Sequence, residues 1–186
     1  PELSRGLGDV YKRQNLTSLN CWSNQLNILD VSQNPNLTSL NCSGNILSSL
    51  DVSQNPNLTS LNCFGNSLLN LDLRQNSNLS YVLCRNNLLA NLDLRNGNTT
   101  NIGYFDSRSN DSLFCISVDD STYSVNNWTN IDSHTSFSEN CSQYTLIPDS
   151  IFEQRLIDLG YDTIHNGRVL TANISSIDSL DISGIY

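Results

Sequence analysis

The chain has 186 residues, with nine Lys and Arg against eighteen Asp and Glu, a formal net charge of −9, and 38% hydrophobic and 8% aromatic residues, enough for one or two domains. Asn, Ser and Leu occur 28 times each, a bias that points to a repeated short unit. The acidity argues against nucleic acid, whose binding needs clustered Lys and Arg, and against docking on an anionic membrane surface. No apolar run approaches the roughly 18 residues of a membrane span.

The opening SRGLGDVYKRQ, Ser4 to Gln14, shares neither period nor composition with the rest of the chain. It resembles in-frame translation of a sequencing-library adapter, so residues 1–14 are set aside as an artefact. From Asn15 onward the chain has six arginines, no lysine and sixteen acidic residues.

Four units come next: NLTSLNCWSNQLNILDVSQNP from Asn15, NLTSLNCSGNILSSLDVSQNP from Asn36, NLTSLNCFGNSLLNLDLRQNS from Asn57 and NLSYVLCRNNLLANLDLRNGN from Asn78. Each holds LxxLxCxxNxL, as in Leu16, Leu19, Cys21, Asn24 and Leu26. LxxLxVxxN continues it in Leu26, Leu29, Val31 and Asn34, sharing the middle leucine. The alternation in LxC and LxV is that of a strand with Leu19 and Cys21, or Leu29 and Val31, turned inward. Equivalent strands of successive coils then pair in parallel about 4.8 Å apart on two sides. One 21-residue coil buries too little apolar surface to offset the ordering of its backbone, so stacking and capped ends are required.

This pattern resembles the leucine-rich repeat family, in particular the short bacterial variety in which the LxxLxLxxN segment recurs twice per coil. The resemblance implies a mainly β solenoid over 15–114, a C-terminal cap over 115–142, and a secreted or cell-surface protein. Asn24, Asn45, Asn66 and Asn87, with Asn34, Asn55 and Asn76 on the other side, fall where the chain leaves each strand. They are read as structural ladders whose side-chain carbonyl and amide both satisfy backbone groups.

After Asn98 the period fails. TTNIGYFDSRSNDSLFCISVDD keeps an apolar spacing at Ile102, Phe105, Leu113 and Ile116 without the second half-coil. The segment to Cys141 is similar to the C-terminal cap of secreted bacterial leucine-rich repeat proteins, with Trp128 over the last coil and Tyr123, Ile131 and Phe137 around it. Cys115 and Cys141 bracket this cap outside the cysteine ladder, which favours a disulfide over two buried thiols. In IPDSIFEQRLIDLGYD, Ser150 and Glu153 have capping-box spacing, Phe152, Leu156 and Leu159 share a helical face, and Gly160 ends the helix. Ile174, Ile177, Leu180 and Ile182 then restart the repeat spacing. Residues 143–186 are therefore read as the N-terminal cap helix and first strand of a second array.

Several residue sets could carry chemistry. Cys21, Cys42, Cys63 and Cys84 recur every 21 residues and are read as small buried hydrophobes in a ladder, with a metal or redox role as the alternative. Asp30, Asp51, Asp72 and Asp93 form an outward ladder of like charges. The readings are a solvated stripe, partly neutralised by Arg74 and Arg95, or oxygen ligands for calcium. Asn15, Asn36, Asn57 and Asn78 match the N-glycosylation pattern but belong first to the repeat. His134 and His165 stand alone, and Asp119 and Asp120 suit turn ligands better than a catalytic pair. No active site and no resident cofactor is expected.

The functional clue lies in what the repeats do not share. Outward Asn20, Asn41 and Asn62 recur, whereas the next outward position varies as Trp22, Ser43, Phe64 and Arg85, and Tyr81 and Leu83 replace earlier Ser and Asn. Exposed aromatics and arginine are enriched in recognition surfaces, and drift on a tolerant surface is the alternative. The reading is a non-catalytic binding or adhesion scaffold, extracellular or at the cell surface, for a protein or glycan partner through Trp22, Phe64, Tyr81, Leu83 and Arg85. A targeting module of a larger secreted hydrolase and a passive spacer are the other two readings.

Overall fold

A computed structural model describes residues 15–141, 144–147, 149–165, 167–175, 177 and 179. The chain divides into two compact units after Glu139.

The first unit is a parallel β-solenoid. On one side run β1 (Ser18–Asn20), β2 (Ser39–Asn41), β3 (Ser60–Asn62), β5 (Tyr81–Leu83) and β7 (Tyr104–Asp106), each paired in parallel with the next. Successive strands stack residue on equivalent residue: Leu19 faces Leu40, Leu40 faces Leu61, Leu61 faces Val82 and Val82 faces Phe105. On the other side β4 (Asn70–Asp72), β6 (Asn91–Asp93), β8 (Cys115–Ser117) and β9 (Ser136–Ser138) form a second parallel sheet. Parallel pairing arises because every coil runs through the same circuit and returns one rung further on.

The core lies between these sheets. Leu40, Leu61, Val82 and Phe105 meet Leu50, Leu71, Leu92 and Ile116, with Leu47, Leu68, Leu89 and Leu113 at the shared corner. The expected second-side strand is absent from the first two coils. Leu50, Val31 and Val52 are buried there just as their counterparts are, but outside any strand. Inward packing, more than strand pairing, is thus the constant of the repeat.

The array does not lose its second half-coil after Asn98. A two-residue lengthening, taken up by the 3-10 turn Thr99–Asn101, shifts the next inward residue so that Phe105 comes 23 positions after Val82 and the 21-residue period is masked. β8 and then β9 continue the second sheet, Ile116 facing Leu92 and Phe137 facing Ile116. Between them helix α1 (Ser121–Asn127) begins at Asp120, whose side chain accepts from the Tyr123 amide at 2.7 Å. Trp128 comes directly after it, stacked on Phe105 at 4.6 Å and edge-on to Phe137, with its indole N–H donating to Ile102 O. Ile131 packs against this cluster, and the Tyr123 hydroxyl donates to Thr100 O.

The corner asparagines carry out the ladder role. Asn45 Oδ1 accepts from the Leu26 amide at 3.0 Å while Nδ2 donates to Cys21 O and Cys42 O. Asn66 and Asn87 repeat this one and two rungs on, and Asn110 adds a rung that the shifted period hid. Among the described residues Asn24 bonds only within its own exposed coil. The opposite ladder differs from expectation. Asn55 and Asn76 donate from Nδ2 to two backbone carbonyls each, but their buried Oδ1 atoms have no hydrogen-bond partner among the described residues.

The second unit pairs β10 (Tyr144–Leu146) antiparallel with β11 (Arg168–Leu170), with helix α2 (Ser150–Asp158) between them and the short α3 (Thr171–Ile174) after. The capping box is corrected: Asp149, not Ser150, is the N-cap, its carboxylate accepting from the Ile151 and Phe152 amides at 2.9 Å each. Glu153 instead turns inward and accepts from the Gly167 and Arg168 amides. Leu156, Ile147 and Val169 form a small core with Phe152, Tyr161 and Ile174 against it, whereas Leu159, at the C-cap, is exposed. Gly160 comes next in the left-handed region, φ +80°, where a side chain would be strained. Ile174 ends a helical turn, and Leu180 and Ile182 lie outside the described residues, as do residues 1–14.

Candidate functional site

The outward face of the first sheet carries three columns, one residue per rung. The first reads Ser18, Ser39, Ser60, Tyr81, Tyr104 and the second Asn20, Asn41, Asn62, Leu83, Asp106, as the strand register dictates. The third, just past each strand, reads Trp22, Ser43, Phe64, Arg85, Arg108. In the first two columns small Ser and Asn residues therefore floor the first three rungs and larger side chains follow on the last two, while the third column is large on every rung but that of Ser43.

Four of the five residues singled out in the sequence lie together on the third and fourth rungs. Tyr81 stacks on Tyr104, ring centroids 4.8 Å apart and planes 11° from parallel, and the Arg85 guanidinium sits 5.1 Å over the Phe64 ring, a cation–π geometry. Leu83 lies between these pairs, in register with Asp106. Trp22, 59% exposed, shares the column but stands apart, with Ser43 between it and Phe64. Tyr104, Asp106 and Arg108 escaped the sequence reading. Their signal was the spacing Y-x-D-x-R, which repeats Tyr81, Leu83 and Arg85 but is displaced by the two-residue lengthening.

Asp106 organises this end of the face. Its side chain is 1% exposed and takes a bidentate pair from Arg108, Nη2 to Oδ2 at 2.6 Å and Nε to Oδ1 at 3.0 Å. Arg85 reaches only to 4.0 Å. Burial pushes the Asp106 carboxyl upward. The Arg108 hydrogen bonds and the Arg108 and Arg85 charges outweigh that burial, so the group titrates below the usual Asp range. Burial, then Tyr104 and Asp106, push the Tyr81 phenol upward.

The second sheet neutralises its own charges. Arg74 clamps Asp72 and approaches Asp93 at 3.6 Å, while Arg95 clamps Asp93 at 2.6 Å and donates to Glu139 O. Hydrogen bonding to Arg74 holds Asp72 low; for Asp93 burial works upward and the Arg95 bonds prevail. Asp30 and Asp51 accept from the amides of Ser32 and Ser53. Among the described residues no three His, Cys, Asp or Glu converge as a metal site. Because Asp72, Asp93 and Asp106 are depressed in the fold, their stabilisation is complete above the ordinary Asp range and fades as pH falls through their folded values. The melting temperature should therefore hold between about pH 7 and 5 and drop below about pH 4. Asp106→Asn should shallow that drop, and an identical acid profile would remove Asp106 from the account.

The cysteine ladder is a core feature. Cys42, Cys63 and Cys84 are fully buried thiols and Cys21 is partly exposed. Burial raises all four, Cys42 and Cys84 to about 12 and Cys63 well above its ordinary value. Since the thiolate is the reactive form, iodoacetamide on the native chain should label Cys21 first and leave the other three until unfolding, as intact-mass analysis would show. Equal labelling of all four would mean that the coils open readily. Cys115 and Cys141 are disulfide-bonded, as the sequence favours.

Asp119 accepts from the Gly97 amide and the Thr99 hydroxyl, and Asp120 caps α1, so both are turn ligands. Asn57 and Asn78 donate from Nδ2 to Pro35 O and Pro56 O of the preceding coils. His134 packs against the Phe114 ring. His165 is not alone: Nε2 lies 3.2 Å from Glu153 Oε2 and 3.0 Å from Ser150 O. No helix among the described residues is long and apolar enough to cross a membrane.

No family model matches the chain, and no curated protein does. Among solved structures it is similar to the functional domain of InlJ from Listeria monocytogenes, described as including a cysteine ladder. Identity is 35% and the TM-score 0.51, over 61% of this chain and 27% of that one. The chain thus spans about a quarter of that protein's length. Such a fold supports a binding or scaffold role in general. The repeat region, with its 21-residue coils and stacked thiols, forms a β-solenoid that matches the leucine-rich repeat fold and is similar to that domain of InlJ.

Proposed function

We propose that the chain is a non-catalytic binding module, acting outside the bacterial cell or at its surface, whose first-sheet face docks a partner at Phe64, Tyr81, Leu83 and Arg85 together with Tyr104 and Arg108. One observation carries this reading. In the strand columns Ser and Asn hold three rungs and then give way to Tyr81, Leu83 and Tyr104, beside Phe64 and Arg85 in the third column, and aromatics and arginine are residue types that dominate interface energetics. The likeness to InlJ and the Cys115–Cys141 disulfide support an extracellular setting.

Binding of the full chain to protein and glycan arrays should fall at least tenfold in the Phe64→Ala, Tyr81→Ala, Arg85→Ala triple variant, about 1.4 kcal/mol or more, with little change in unfolding midpoint. Adding Trp22→Ala tests whether the separated tryptophan extends the surface. A wild-type chain that binds partners which the variant retains in full would place recognition elsewhere. No specific binding at all would leave a passive spacer.

A further inference from the structure

We infer that the same face selects an acidic protein partner, its carboxylates received by a ladder of side-chain amides and by Arg85; the inference rests on the docking reading above. Asn20 Oδ1 accepts from the Trp22 amide, Asn41 Oδ1 from the Ser43 amide and hydroxyl, and Asn62 Oδ1 from the Phe64 amide. A backbone N–H can only be met by the oxygen end of the amide, so each strand exit fixes the flip of its asparagine. The Nδ2 groups of Asn41 and Asn62 then have no acceptor among the described residues.

Arg85 is in the same condition. The carboxylate nearest to it, Asp106, is already held bidentately by Arg108, which leaves Arg85 at 4.0 Å, steadied over Phe64 but without a hydrogen-bonded acceptor among the described residues. The opposite sheet shows that this is not general to the repeat. There Asn91 Nδ2 donates to Asn70 Oδ1 at 2.8 Å, and Arg74 and Arg95 are each clamped by an aspartate. On that face both arginines are clamped and Asn91 is matched; this one presents Arg85 and the amides of Asn41 and Asn62, the two amides about one strand spacing apart, roughly 4.8 Å. Its charges, Arg85 and Arg108 against Asp106, sum to +1 on a chain of net −9.

Donors without acceptors are complemented by carboxylates, and charge-assisted bonds to arginine are the stronger kind. Leu83 and the stacked Tyr81 and Tyr104 add an apolar wall beside the donor floor. That wall matches the aliphatic and aromatic side chains of a protein surface better than it matches an anionic glycan.

The test exploits a substitution that the fold already accepts. Asp106 occupies the fifth rung of the asparagine column and accepts from the Arg108 amide in the same way. Asn41→Asp with Asn62→Asp should therefore keep the strand-exit bond while turning the donors into acceptors. The full chain, 15N-labelled on asparagine, is titrated with poly-L-glutamate, with polygalacturonate and with a neutral polypeptide of similar length.

Poly-L-glutamate is expected to bind best and to shift the Asn41 and Asn62 side-chain amide resonances. The double variant and Arg85→Gln should each weaken it at least tenfold without a change in melting temperature. Stronger binding of polygalacturonate overturns the protein partner. Binding that survives the double variant but is lost in the Phe64, Tyr81, Arg85 triple overturns the amide ladder and leaves the docking face standing. Full binding in both variants overturns both.

Discussion

Asn87→Ala is expected to unfold the solenoid more readily than any surface change, by roughly 2 to 4 kcal/mol in denaturant titration. The side chain accepts from the Leu68 amide and donates to Cys63 O and Cys84 O from within the core. Truncation leaves the Leu68 amide unpaired, at about 1 to 3 kcal/mol, and removes one of two amide donors from each of Cys63 O and Cys84 O, which keep Asn66 Nδ2 and Asn110 Nδ2. Asn87→Asp should be little better, because a carboxylate can still accept from Leu68 but faces two carbonyls where the amide donated. Asn24→Ala, in the exposed first coil, should cost about 1 kcal/mol or less. A loss below about 1 kcal/mol at Asn87 would show that these groups find other partners, and the ladder would then be a consequence of the fold and not a support for it.

Trp128→Ala carries the second large effect, about 3 to 5 kcal/mol. The indole is 4% exposed, stacks on Phe105 and meets Phe137. Removing it opens a cavity above the last rung of the first sheet. Amide exchange should then accelerate first at Tyr104–Asp106, the strand beneath, and only later at Ser39–Asn41. Uniform acceleration along all rungs would mean that the solenoid unfolds as one unit and that Trp128 is simply another core residue. Trp22→Ala, on an exposed residue of the same type, is the matched control and should change stability by no more than about 0.5 kcal/mol.

The repeat was legible because its constraints are local. A leucine that must point inward at a fixed offset, and an asparagine that must meet the backbone where a strand ends, recur every 21 residues in the sequence. The candidate face was half legible. Phe64, Tyr81, Leu83 and Arg85 stood out as departures from the preceding units, whereas Tyr104, Asp106 and Arg108 were hidden by a two-residue lengthening that pairing across rungs absorbs. Helix α2 was legible from its apolar spacing. Its cap was not, since Asp149 and Ser150 both suit an N-cap and Glu153 left the capping box for two amides fourteen and fifteen residues away.

Periodicity and composition were enough for the coil length, the inward residues, the thiol ladder and the acidity of the chain. Which polar groups are paired and which stay open depended on how the coils stack. Asn91 donates to Asn70 where the strands of one sheet begin, while Asn41 and Asn62, where strands of the other end, have their amides unmatched among the described residues. Asp106 goes to Arg108 and so leaves Arg85 available. Hydrogen-bond partnership is settled between rungs, by distances of a few ångströms that no spacing along a single chain encodes.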